Sequence, residues 1–390
     1  MTPIALLVYA VITLGVIDLL AWFILFYRFE AGFSRAPKLY NVECKSAVWK
    51  VAAIVAARNE EETIAECIRS LLSQSCTESV IVVDDGSTDK TYEMATNCST
   101  DSRVHILRVD GKGLGKAEAC FLAASRVTEA DWLLFVDADT RIKPGFVDCA
   151  LRFAEDNGLD ALSAVGQLRC PHLWDKVSTP FLFGLLNSFI RLDHVCNRKR
   201  KSAYFYGSFI LIKKEAYTRI GGHRAVKHDI VEDRALGSLA KRSGLNICIV
   251  RALDAVSAEW APGFRSSIDA MRRVVVPSIN GRLGLGSTFG FALTALFFIP
   301  LLLVGVCVSG VGHISSNTST LGLALGLSSL ALSATLSASS AKKIGSNPLP
   351  ALLFILPEIA FSYAFWSSVH RILRGKPVVW RDRAYLYRRK

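Results

Sequence analysis

Carboxylates fall at the ends of apolar runs in this 390-residue chain, and their spacing gives the sequence its first chemical reading. Asp137 and Asp139 close WLLFVDADT (132–140). Period-two alternation at a strand end would turn both to one side, where neighbouring carboxylates repel unless a cation or a proton intervenes. A hard divalent ion, Mg2+ or Mn2+, suits such a pair and would neutralise a departing diphosphate. Two solvated turn carboxylates would have the same spacing. Asp84 and Asp85 close SVIVVDDGS (79–87) at a Gly-Ser turn. A carboxylate there can accept hydrogen bonds from a base N–H or a ribose, or it can make the turn and cap the next helix. Arg58 and Glu60 follow the run 51–57 in the same way.

Glu232 and Asp233 open a helical stretch that ends at Gly244. The helix macrodipole alone favours acids at that position. A group transfer with inversion also needs a carboxylate to take the acceptor's proton opposite the leaving group, and of this pair Asp233 is the candidate base. Lys112 and Lys116, in GKGLGKAEA, sit at a Gly-rich helix entry where N–H groups and an ammonium can meet phosphate. Arg272 and Arg273 suit either a diphosphate or an interfacial anchor.

The elements that must position these groups alternate. Continuous apolar runs at 51–59, 79–87, 104–109 and 132–140 are separated by stretches with helical spacing at 61–75, 88–98 and 116–127. That βαβ series predicts an α/β, doubly wound, Rossmann-like sheet, with ligands beyond the carboxyl ends of its strands, where the acidic clusters lie. No GxGxxG follows the first strand, which disfavours a dinucleotide dehydrogenase.

The hydrophobic share of 51% and charged share of 21% imply a chain that is part membrane and part soluble. Apolar residues concentrate at 4–26, 288–311, 321–337 and 349–369. The first run is long enough to cross about 30 Å of hydrocarbon, interrupted only by Asp18. Of the later runs, two are expected to cross. The division expected is an N-terminal transmembrane helix (1–28), a soluble catalytic domain (40–250), an interfacial linker (251–286) and a C-terminal membrane region with a basic tail (287–390). Basic residues after the first helix (Arg28, Arg35, Lys38) place the catalytic domain in the cytoplasm. The net charge of +12 lies largely beside apolar segments, without zinc-finger, RNP or basic-heptad patterns, so the partner expected is membrane and not nucleic acid. Ten cysteines without a CxxC pair read as reduced core residues. Residues 179–202 read as an interfacial helix, or else as a core helix followed by a solvated loop.

VAARNEE, VVDDGSTDKT, FVDADTRIKPG and VEDRALG, in this order across residues 50–245, resemble the family 2 glycosyltransferases. The flanking membrane segments and the tail VVWRDRAYLYRR are similar to the lipid-directed branch, which includes ceramide and hopene-associated glycosyltransferases. The resemblance implies a GT-A fold, a nucleotide-diphosphate sugar donor, a lipid acceptor and inverting transfer of one sugar. It assigns Asp85 to the nucleotide, Asp137 and Asp139 to the metal and diphosphate, and Asp233 to the base. The Gln/Arg-x-x-Arg-Trp motif is missing, with only DAMRRVV in its place. That speaks against the first alternative, a processive polysaccharide synthase. The second is a catalytically inactive membrane scaffold.

Overall fold

The computed structural model describes residues 3–39, 48–98, 100–279, 283–309, 316–380 and 383–385. The chain forms two compact units, one of Met1–Ala31, Cys170–Phe189 and Trp260–Lys390, the other of Gly32–Arg169 and Ile190–Glu259. Helix α1 (Pro3–Arg35) opens the chain. The second unit then alternates as the apolar runs predict: β1 (Val51–Ala57), α2 (Ile64–Leu72), β2 (Thr77–Asp85), α3 (Thr91–Thr96), β3 (Val104–Val109), α4 (Lys116–Ser125) and β4 (Trp132–Asp137). It continues through β5 (Arg141–Ile142), α5 (Phe146–Asp156), β6 (Ala161–Val165) and β7 (Gln167–Arg169). Helix α6 (Leu173–Ile190) intervenes, and then come α7 (Leu192–Val195), β8 (Ile210–Lys213), α8 (Lys214–Arg219), α9 (Glu232–Arg242), β9 (Ile247–Arg251) and β10 (Val256–Glu259).

Seven strands form the main sheet in the order β3-β2-β1-β4-β8-β6-β9. The first four are parallel, and β1, almost wholly buried, carries only Val, Ile and Ala, as a strand covered on both faces must. Strand β8 runs antiparallel to β4 and β6, making the sheet mixed. The sequence gives little warning of it, because four residues are too few for a periodic signal. The chain moves outward from β1 through β2 to β3 and then returns to lay β4 on the other side of β1. This is the reversal of strand order that opens a crevice at the carboxyl ends. Pairing of Ala57 with Asp84 and of Ala56 with Asp137 brings the two acidic strand ends level there. A smaller sheet, β5-β10-β7, follows Asp139 in the chain through β5.

A disulfide joins Cys196, just beyond α7, to Cys248 on β9, and Cys149 is disulfide-bonded too. The expectation of uniformly reduced cysteines therefore fails. The sequence could not reveal the pairing, because Cys196 and Cys248 are 52 residues apart and meet only when α7 packs on β9.

The other unit is helical: α6, α10 (Phe264–Ile279), α11 (Leu283–Ser309), α12 (Ser316–Lys343) and α13 (Ile355–Leu373) accompany most of α1, with a hairpin of β11 (Val378–Trp380) and β12 (Arg383–Tyr385). Among the described residues three helices are long and apolar enough to cross a membrane, over Tyr9–Arg35, Gly284–Ser309 and Ser316–Lys343. Glycines let these helices approach closely. A Cβ on Gly184 would lie 3.2 Å from the Leu336 side chain, and one on Gly290 would collide with the Phe365 ring. Polar groups pair between helices: the buried Ser333 donates to the buried Glu358 at 2.7 Å, and the half-buried Glu30 carboxylate takes the Lys343 ammonium at 2.8 and 2.9 Å. Helix α6 is largely buried, whereas residues 197–201 are exposed. An interfacial helix over 179–202 is thus replaced by the plainer reading, a core helix followed by a solvated basic loop.

Closing a loop of this length restricts the unfolded chain by about 4 kcal/mol in the chain-entropy account. The Cys196→Ala/Cys248→Ala double variant is accordingly expected to unfold several degrees below the parent. Alkylation of denatured, unreduced protein followed by peptide mapping should recover the two cysteines as one cross-linked peptide, and free thiols at both would contradict the pairing.

Candidate active site

The loops after β1 and β2 are tied together before any ligand is considered. Asn59, held at φ 55°, donates its N–H to the Ser87 hydroxyl at 3.0 Å and accepts the Thr88 N–H at 2.9 Å, while the Glu60 N–H reaches Thr91 at 2.7 Å. The Glu60 carboxylate accepts the Thr63 hydroxyl at 3.2 Å, and Arg58 donates to the Lys112 carbonyl at 2.8 Å. Asp84 is fully buried and accepts the Ser87 N–H at 3.2 Å. Asp85 accepts two backbone N–H groups, those of Leu114 and Gly115, the latter at 2.8 Å. It therefore fixes the glycine loop 111–115. Gly113 must lack a side chain, since a Cβ there would collide with the Asp85 carbonyl oxygen, and its φ of 69° is left-handed. In this arrangement Asp84 and Asp85 build turns, and Asp89 receives the Thr91 N–H at the start of α3 at 3.0 Å.

That loop delivers Lys116 to the first residue of α4. Its ammonium lies 2.6 Å from Asp137 Oδ1 and 2.8 Å from Glu232 Oε1, joining the end of β4 to the start of α9. Burial alone would lower this ammonium, but Asp137, Glu232 and Asp233 outweigh it and hold Lys116 well above the ordinary lysine value. Asp233 accepts the Gly207 N–H on Oδ2 at 3.2 Å and the Arg234 N–H on Oδ1 at 2.6 Å. Four sequence-predicted residues, Lys116, Asp137, Glu232 and Asp233, thus converge. Asp139 lies in the turn after β4, so strand alternation does not orient it as expected. Its backbone carbonyl accepts Arg169 at 2.9 Å, and Arg169 in turn pairs with Glu259 at 3.3 Å. Asp139 and Asp137 both act on Cys67, whose thiol burial and these carboxylates push up.

Residues 52–221 match the model of the glycosyl transferase family 2. This segment is a family 2 glycosyltransferase domain. Over 269 residues the chain is 28% identical to the 4,4'-diaponeurosporenoate glycosyltransferase of Staphylococcus aureus (strain USA300), covering 66% of this chain and 68% of that protein. The protein of that name in the bovine strain RF122 / ET3-1 is 29% identical over 222 residues, covering 55% and 57%. The mannosyltransferase PcManGT from Pyrobaculum calidifontis, solved with GDP-Man and Mn2+, superposes with a TM-score of 0.51 at 17% identity, covering 93% of this chain and 99% of that one. That likeness concerns the fold, which is GT-A.

The glycosyltransferase domain also places around this cluster residues that no motif marks. Gly207, Arg169 and Ser163 have no motif of their own; only the backbone path shows what they touch. His223 is a core residue. It is buried against Phe135 (ring centroids 4.5 Å apart), and its Nδ1 lies 3.1 Å from the Tyr217 hydroxyl. Arg272, on α10 of the other unit, is held by Asp269 at 2.9 Å and Ser367 at 3.2 Å, and lies over the Tyr363 ring. Arg273 also lies on α10.

Burial holds the His223 imidazole at about 3, against 6.5 when unfolded. The folded state therefore binds fewer protons, so this contribution is complete above pH 6.5 and is lost as pH falls toward 3. Unfolding free energy should drop by about 2 kcal/mol from this group between about pH 6.5 and 5. His223→Gln should lack that part of the slope in thermal melts across the interval, and an unchanged slope would count against it.

Proposed function

We propose that the chain is an inverting glycosyltransferase that moves one sugar from a nucleotide-diphosphate sugar to a lipid acceptor at the cytoplasmic face of a membrane. The observation that carries the reading is the Lys116 bridge. It joins Asp137, which we read as the leaving-group-side carboxylate, to Glu232, and Asp233, which we read as the acceptor-side carboxylate, adds its charge to the same cluster. The names of the S. aureus relatives support a lipid-like acceptor, and the three apolar helices support a membrane location. The cytoplasmic face rests on Arg28, Arg35 and Lys38, the basic residues that follow the first apolar run, since the disulfide removes the support sought from reduced cysteines.

Asp137 and Asp139 are hard oxygen ligands, and two carboxylates with a diphosphate are a usual set for Mg2+ or Mn2+. Among the described residues no group of three or more Asp, Glu, His or Cys gathers to hold a metal alone, so the diphosphate would complete the set. The ion would supply charge neutralisation to the departing diphosphate. The chain's own groups do the rest. The Lys116 ammonium adds positive charge beside Asp137. Glu232 is buried and engaged by Lys116, which leaves Asp233 as the base. The acceptor oxygen bonds to the anomeric carbon as the bond from that carbon to the phosphate oxygen breaks. The acceptor's proton passes to Asp233, and the nucleoside diphosphate leaves. Arg58 and Glu60 shape the nucleotide side through the loops they tie. Roles for Asp84 and Asp85 toward the nucleotide are compatible with turn-building, while Arg272 and Arg273 are retained as diphosphate candidates.

Asp233→Asn should bind nucleotide as the parent does yet transfer sugar about 100- to 10,000-fold more slowly. The measurement is transfer from a panel of UDP- and GDP-hexoses in native-membrane lipids with mass detection of the product. Undiminished turnover would remove the base assignment, and long polymers would favour a processive synthase.

A further inference from the structure

Gly207 touches both sides of the cluster just described. Its N–H donates to Asp233 Oδ2 at 3.2 Å. In the direction a side chain would take, a Cβ would stand 2.9 Å from Asp137 Oδ2, 3.0 Å from Lys116 Nζ and 3.3 Å from Asp137 Oδ1. Its φ is not in the left-handed region, so the backbone would accept alanine there, and what would have to move are the ends of the Asp137 and Lys116 side chains.

The surrounding backbone has little freedom to yield. The Tyr206 N–H donates to the Ser163 hydroxyl at 2.8 Å, that hydroxyl donates to the Phe209 carbonyl at 2.9 Å, and the Phe209 N–H returns to the Tyr206 carbonyl at 3.1 Å. Behind the segment, Gly237 of α9 lets the chain pass so closely that a Cβ would lie 2.8 Å from the Tyr204 carbonyl carbon and 2.9 Å from the Phe205 nitrogen. Residues 204–207 are therefore held between the helix that carries Asp233 and the carboxylate at the end of β4.

An in-line displacement puts the base and the leaving group on opposite sides of the carbon under attack. Gly207 lies beside both Asp233, read as the base, and Asp137, read as the carboxylate of the leaving-group side. We propose that Gly207 is a positioning residue for transfer: its N–H aims Asp233, and its missing side chain leaves the Asp137 carboxylate and the Lys116 ammonium the space in which they meet. The inference rests on the reading of Asp233 as base and Asp137 as the diphosphate-side carboxylate.

The test compares Gly207→Ala, Gly237→Ala and Asp233→Asn in the full-length protein in lipid nanodiscs. The readouts are kcat, KM for whichever UDP- or GDP-hexose supports transfer, UDP and GDP binding by calorimetry, and thermal unfolding. Gly207→Ala should lower kcat about 100-fold, as a misplacement near 1 Å does, while nucleotide binding and unfolding temperature stay close to the parent's. Gly237→Ala pushes the same segment from the α9 side without entering the site and should lower kcat in the same selective way, by less. If Gly207→Ala loses nucleotide binding or fails to fold, Gly237→Ala decides: a selective fall in kcat upholds the positioning role, and a parental kcat overturns it. Parental kcat in Gly207→Ala beside an inactive Asp233→Asn overturns the inference while leaving the base assignment intact. Full activity in Asp233→Asn removes both.

Discussion

The acidic cluster at the end of β4 is held together by one ammonium. Asp137, Glu232 and Asp233 converge from β4 and α9, and three carboxylates gathered in partly buried surroundings would repel without a counter-charge. Lys116, in contact with the first two, supplies it. The cost of burying an ammonium is met by the same carboxylates, so each side makes the other tolerable. Removing Lys116 would leave the carboxylates to take up protons or separate. Either change would disturb the proposed base and the proposed diphosphate-side carboxylate together, and much local structure is devoted to placing this lysine.

That placement begins with Asp85. A lysine at the first residue of a helix opposes the helix macrodipole, so local propensity does not put it there. Asp85 instead pins the glycine loop 111–115 by two backbone N–H groups and sets the first turn of α4 against the end of β4. The loop needs left-handed φ at Gly111, Gly113 and Gly115, and Gly86 passes so close that a Cβ would lie 2.6 Å from the Gly111 carbonyl oxygen. An acidic residue that reads as a nucleotide ligand thus acts first on the protein's own backbone. The two roles need not compete, because a loop fixed in this way is what a phosphate or ribose would meet.

Much of this was legible in the sequence, for physical reasons that also explain the misses. The runs that became β1, β2 and β4 are apolar, and their carboxyl-terminal polar residues mark where buried strands meet solvent. Asp137 could be picked out at such an end, and Lys116, Glu232 and Asp233 at the entries of helical stretches. Strand β8 and the 204–209 segment were not legible: a four-residue strand carries no period, and Gly207 matters only because of what surrounds it in space. The disulfide failed the cysteine reading for the same reason, since pairing depends on α7 meeting β9. Strand alternation misled at Asp139, because β4 ends two residues earlier and a turn obeys no such rule.

The helical unit, with three helices long and apolar enough to cross a membrane among the described residues, shows the same logic. Asp18 looked like an interruption in an apolar helix, yet it is buried at 3% exposure, with Ser329 of α12 beside it, while Glu358 of α13 takes the Ser333 hydroxyl. Ser329 and Ser333 are one helical turn apart, so a single face of α12 lies beside carboxyl groups of two other helices and donates to one of them, Glu358. Apolar side chains gain little from one another when lipid is the alternative, so contacts of this kind, together with close approaches at Gly184 and Gly290, give helix packing its specificity. The polar residues that interrupt the apolar runs in the sequence are therefore part of what makes the helices associate, and counting them as defects in a hydropathy profile obscures their role.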